Sequence, residues 1–191
     1  MANDCSYWMK IVAKDEATLD RFAQIMKYKD PEFYVYRVFE YEETYREEVD
    51  GLFVATAYGE VAWGCSAWLN DAVDRAQTID TGAHYSNLSE VCKALGIAIE
   101  VWGEEFGMCF QEHIFVAKDG TYSFINKSAC SVDWDDEESV NEAKECCENV
   151  GIDFETAYKG DYFVGGFEDF EECESAKVIW DKKELSLWIE C

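Results

Sequence analysis

Apolar residues alternate with polar ones in some stretches of the chain and recur every third or fourth position in others. The switches between these two periods mark its elements. Residues 5–13 (CSYWMKIVA) read as a strand. Residues 15–28 follow as an amphipathic helix whose buried stripe is Leu19, Phe22, Ile25 and Met26, with acids in the first turn as the helix dipole prefers. Residues 32–45 alternate towards strand, and residues 49–65 form a hairpin partner across Asp50-Gly51. A short helix is expected around 66–76, on Leu69, Ala72, Val73 and Ala76. Residues 87–96 make a compact helix: Asn87 caps it, Glu90 holds the capping-box position, Leu88, Val91, Cys92 and Leu95 form its face, and Gly96 stops it. Strands are expected at 97–104, 107–118 and 121–129, the last two joined by Asp119-Gly120.

This order, β-α-β-β-α-β with an added hairpin, predicts an α+β fold: a ferredoxin-like antiparallel sheet with two helices on one face. It occupies residues 1–130. Residues 131–191 read as an acidic extension packed on the main sheet, because about 60 residues make a marginal core alone. The extension holds a helix at about 136–149 and a hairpin-like segment at 176–190.

Charge changes the picture most. The 191 residues carry 41 acids and 16 bases, a net charge of −25, and residues 128–191 alone hold 19 acids and 5 bases. Binding to DNA, RNA or anionic membrane is disfavoured, since affinity for phosphates comes largely from Lys and Arg. A basic protein surface is attracted instead. The nine cysteines are odd in number, Met-Ala-Asn-Asp is not a positively charged leader, and several cysteines occupy apolar positions, so a reduced host cytoplasm is expected. No apolar run approaches the roughly 18 residues of a membrane span.

Candidate chemistry is thin. Of the two histidines, His113 lies in an alternating strand on the same face as Cys109, a formal nucleophile–base pair, but a structural histidine is the simpler reading. Cys146-Cys147 with Cys173 lack metal-ligand spacing, because adjacent helix residues point about 100° apart. The acidic run DWDDEESVNEAKE lacks the central glycine of a calcium loop, and no glycine-rich phosphate loop occurs. No catalytic residue, metal ligand or cofactor is assigned.

The segments MANDCSYWMKIVA, AYGEVAWGCSAW and LSEVCKALGIAIEVWGEEFGMCFQEHIFVAKDG resemble the YubB-type ferredoxin-like domain of plasmid- and phage-encoded proteins. Asn3, Cys5, Trp63, Gly64, Trp68, Leu88, Gly107, Phe110 and Gly120 stand at its anchor positions, and the likeness covers about the first 130 residues. The segment TIDTGAHYSN lacks the proline-rich stretch usual before the family's second helix. The resemblance implies a fold and a mobile-element origin and brings no catalytic residues.

Within 136–150, Val140, Ala143, Cys147 and Val150 form a narrow apolar stripe, with Glu138, Glu142 and Glu145 opposite. Asp135 is expected to cap this helix and Gly151 to end it. A solvated helix face explains that periodicity but not the excess of charge, to which residues 167–175 (FEDFEECES) add more. The leading expectation is a non-enzymatic phage or mobile-element inhibitor of a basic, nucleic-acid-handling host defence protein, such as a CRISPR effector. Its nucleic-acid-mimicking contacts are Asp135, Asp136, Glu138, Glu142, Glu145, Glu168, Asp169, Glu171 and Glu172. The alternatives are a small metal- or ligand-binding enzyme with a pocket between sheet and extension, and an acidic accessory protein without mimicry.

Overall fold

A computed structural model describes residues 4–69, 82–105, 110–128, 134–150, 153–159, 162–163 and 176–182. The fold is α+β, built on a six-stranded antiparallel sheet. Strand β1 (Asp4–Ala13) leads into helix α1 (Glu16–Met26), which Asp15 caps by accepting the Thr18 N–H. The short β2 (Phe33–Tyr34) precedes the long hairpin β3 (Val38–Val49) and β4 (Leu52–Ala62). Asp50 and Gly51 both take positive φ (54° and 77°), the backbone that a two-residue hairpin turn demands. A 3-10 turn, Cys65–Leu69, follows. Next come β5 (His84–Tyr85) and α2 (Leu88–Leu95), with Asn87 as cap and Gly96 in the left-handed region. Strands β6 (Ala98–Glu105), β7 (Phe110–Val116) and β8 (Tyr122–Ser128) complete the sheet in the order β3-β4-β1-β6-β7-β8. The extension contributes α3 (Glu137–Val150), α4 (Phe154–Ala157), the two-residue strands β9 (Tyr158–Lys159) and β10 (Tyr162–Phe163), and α5 (Ala176–Asp181).

Alternation along β1 divides the molecule. Tyr7, Met9 and Ile11 join one core with Leu19, Phe22, Ile25 and Met26 of α1, Leu88, Val91 and Cys92 of α2, and Ile99, Val101, Ile114 and Val116 of the sheet. Val12 points to the opposite face, where Val54, Ala98 and Phe115 receive Ala176 and Ile179 of α5. Burying both faces gives β6 its unbroken run of buried residues from Ala98 to Gly103. Helix α3 lies against β8 and α4. Among the described residues no helix is long and apolar enough to cross a membrane.

Three expectations need correction. The strand foreseen over 32–45 is split: Arg37 takes a φ of 65°, and Phe33–Tyr34 pairs in parallel with His84–Tyr85 instead. The helix foreseen at 66–76 is a 3-10 turn as far as Leu69, and the rest of that range lies outside the described residues. The start of the supposed hairpin at 176–190 is helical. Ala176 and Ile179, three residues apart, share the face that docks on the sheet, and Lys177 pairs with Asp181 across one turn at 3.4 Å.

Candidate functional site

The acidic helix α3 is ordered by its apolar side. Ala143 and Cys147 are buried, Val140 is half-buried, and Lys144 lies over the Phe154 ring, whose other neighbour is Trp134. Glu138, Glu142, Glu145 and Glu148 are all exposed, as are Asp135 and Asp136. The cap is Asp136 rather than Asp135: its Oδ1 accepts the Glu138 N–H at 3.1 Å, because the helix begins one residue later than the spacing suggests. Among the described residues none of Glu138, Glu142 and Glu145 forms an ion pair. Val150 belongs to the helix but its side chain is outside the described set, as are Gly151 and the second cluster, Glu168, Asp169, Glu171 and Glu172.

A further acidic surface, unforeseen from the sequence, runs along the edge strand β3. Glu40, Glu42, Glu47 and Glu48 are exposed there, and Glu40 stands directly opposite Glu60 of β4, a like-charge pair that costs stability. The signal was present as EYEETYREE, whose charge density exceeds what an edge needs to resist pairing. Nearby bases are already engaged. Arg46 holds Glu43 through two bonds (2.7 and 2.9 Å) and reaches Asp20 at 2.8 Å, while Arg21 bridges Asp30 and Glu32. The bond to Glu43 and the other carboxylates keep the Arg46 guanidinium charged at any ordinary pH.

Two buried polar clusters flank the centre of the sheet. On the face that carries α5, Glu100 Oε1 lies 2.7 Å from His113 Nε2 and 2.9 Å from Lys182 Nζ, and Trp102 stacks on the His113 ring. Burial alone would raise the Glu100 pKa; the His113 hydrogen bond and the electrostatic pull of His113 and Lys182 outweigh it and hold the carboxyl below its ordinary value. This pairing gives His113 a structural partner, and Cys109, its supposed nucleophilic companion, lies outside the described residues.

On the other face, Cys5, Cys65 and Glu112 bring their sulfur and oxygen atoms within 4.8 Å of one another. The 3-10 turn that carries Cys65 is anchored by Trp68, which packs edge-on against Tyr7 at 4.9 Å and donates its ring N–H to the Tyr36 carbonyl. Glu112 accepts the Ser66 backbone N–H and hydroxyl. Burial, with help from Cys5 and Glu112, pushes the Cys65 thiol far up, which disfavours a free thiolate. Sequence spacing could not have revealed this group, since its members come from three separated elements.

A shallow cleft between the start of α1, the end of α2 and α5 is lined by Lys14, Asp15, Thr18, Leu95, Gly96, Lys118 and Trp180. Among the described residues its lining has no thiol or histidine, and the one carboxylate there is engaged as the α1 cap. Comparisons with protein families, with curated proteins and with solved structures give no match to this chain.

Proposed function

We propose that the protein is a non-enzymatic inhibitor, of phage or mobile-element origin, that binds a basic nucleic-acid-handling protein of the host cytoplasm through its acidic surface. A CRISPR effector or a similar defence protein fits that description. The observation that carries this reading is the exposed row Glu138, Glu142 and Glu145 on a helix whose opposite side is buried. Carboxylates three and four residues apart on a helix are separated by about 4.5 to 6 Å along its axis. That is the same order as the roughly 3.4 Å rise per phosphate along one nucleic-acid strand. A groove that binds phosphates through Arg and Lys would accept such a row by charge-assisted hydrogen bonds. Asp135 and Asp136 extend the row at its start, and Glu168, Asp169, Glu171 and Glu172 are its proposed continuation.

The strand order β3-β4-β1-β6, threaded as β-α-β-β-α-β, supports the finer reading of the sheet as ferredoxin-like with β7 and β8 added at one edge. It is equally the basis for proposing kinship with YubB-type domains.

The test is capture of a partner from host lysate at low and high salt, with wild type and with Glu138→Gln, Glu142→Gln and Glu145→Gln combined. A nucleic-acid-binding partner should be captured at low salt, released by high salt or by added DNA or RNA, and lost in the triple variant. Binding that ignores salt, competitor and these substitutions would overturn the proposal.

A further inference from the structure

The two buried glutamates of the central strands are treated differently by the fold. Glu100 is 1% exposed and is matched by His113 and Lys182. Glu112 is 3% exposed and, among the described residues, has no cation; its neighbours are the Ser66 N–H and hydroxyl and the thiols of Cys5 and Cys65. A carboxylate taken out of water without a counter-charge is costly, and hydrogen bonds offset only part of that cost. The missing positive charge is therefore the question the site poses.

The surroundings gather donor atoms at that point. Cys5 and Cys65 are fully buried and their donor atoms, with that of Glu112, lie mutually within 4.8 Å. Two glycines form the walls. A Cβ on Gly103 would stand 2.6 Å from Cys65 Sγ and 3.2 Å from Cys5 Sγ, and one on Gly64 would stand 3.0 and 3.1 Å from the Glu112 carboxylate oxygens. Gly64 also takes a φ of 154°, which favours glycine, and so delivers Cys65 to the site directly after β4. Gly103 sits in register between Tyr7 of β1 and Glu112 of β7, so the row that would crowd the sulfurs lacks a side chain.

We propose that Cys5, Cys65 and Glu112 bind one zinc-class divalent ion. Two sulfurs and one carboxylate oxygen suit a borderline-soft d10 ion, with Zn–S near 2.3 Å and Zn–O about 2.0–2.2 Å. Hard ions are disfavoured, because calcium takes six to eight oxygens and magnesium demands an octahedral oxygen shell. Binding replaces protons: each thiol S–H bond breaks as a sulfur–metal bond forms, and two protons leave per ion. The dication then faces two thiolates and one carboxylate, and a fourth position is open to the Ser66 hydroxyl or a water. The ion would tie the start of β1, the 3-10 turn and β7 together, a structural role independent of the acidic surface.

The test uses the full reduced chain. Native mass spectrometry should show one zinc per molecule, and cadmium titration should produce the ultraviolet sulfur-to-metal absorption of two thiolates. Cys65→Ser or Cys5→Ser should reduce that absorption and the affinity, while a Cys146→Ser/Cys147→Ser variant should keep both. Glu112→Gln, nearly isosteric and retaining both thiols, should weaken zinc in chelator competition by more than the roughly 10- to 100-fold typical of losing an outer-shell partner. Circular dichroism of each variant separates lost binding from lost folding; should a serine variant fail to fold, Glu112→Gln alone decides. Absence of stoichiometric zinc, a Cys5–Cys65 disulfide in its place, or metal lost only with Cys146 and Cys147 would overturn the proposal.

Discussion

Glu100 shows how one side chain couples a buried charge to the docking of an element. Its carboxylate meets His113 from the next strand and Lys182 from the end of α5, and its second oxygen, Oε2, has no hydrogen-bond partner among the described residues. Because its folded pKa is held below the ordinary value, its stabilising contribution is present above the unfolded-state value and disappears as the pH falls through the folded one. Glu100→Gln should leave the buried Lys182 ammonium facing a neutral amide and cost about 3 kcal/mol at pH 7. Urea unfolding should show that deficit, and the gap from wild type should narrow as the pH drops below about 4. Little of this was legible beforehand. In the run IAIEVWGE, Glu100 looks like any polar residue of an alternating strand, and nothing in the spacing announces Lys182, 82 positions away.

Local signals carried the elements further than they carried the contacts. Asp15, Asn87 and Gly96 act at the ends of α1 and α2 as their residue types suggest, and Asp50-Gly51 turns the β3–β4 hairpin. The β7–β8 turn also follows its sequence. Ala117 and Thr121 close it through a 2.8 Å bond, with Gly120 at a φ of 86°. The failure at α5 has a physical cause: the run AKVIWD holds β-favouring residues, but the docking site for Ala176 and Ile179 on β1, β4, β6 and β7 decides the outcome. Ile179→Ala should therefore weaken the docking of α5 on the sheet by roughly 2–5 kcal/mol. Hydrogen exchange should show faster amide exchange in α5, with β1 little changed; equal protection in wild type and variant would mean that this face contributes little. The acidic row on α3 was legible because helix period and charge coincide. The cluster Cys5, Cys65 and Glu112 was not, because strand register alone assembles it.

At the scale of the whole molecule, −25 charges oppose compaction, and the few bases nearby are spent on internal pairs such as Arg46 with Glu43. Melting temperature should rise as monovalent salt is added from low ionic strength, since the Debye length falls from about 30 Å at 0.01 M to about 8 Å at 0.15 M. A second consequence separates function from folding. Glu138 and Glu142 repel across one turn, as do Glu142 and Glu145, and each such pair costs a few tenths of a kcal/mol. The triple glutamine variant should therefore melt no lower than wild type, and slightly higher, while losing its partner. A variant that is destabilised as it loses binding would point to a structural role for the row instead.

The burial of Cys92 on α2 and Cys147 on α3 makes the chain its own stopwatch. A bulky disulfide reagent reaches neither sulfur until the helix that carries it lifts away, so each modification rate reports how often that helix opens. Cys92 shares the main core with α1 and five strands, whereas α3, among the described residues, packs chiefly on β8 and α4. Mass-resolved labelling under native conditions should tag Cys147 well before Cys92. A bound partner clamped on the acidic side of α3 should slow the first tag and leave the second untouched.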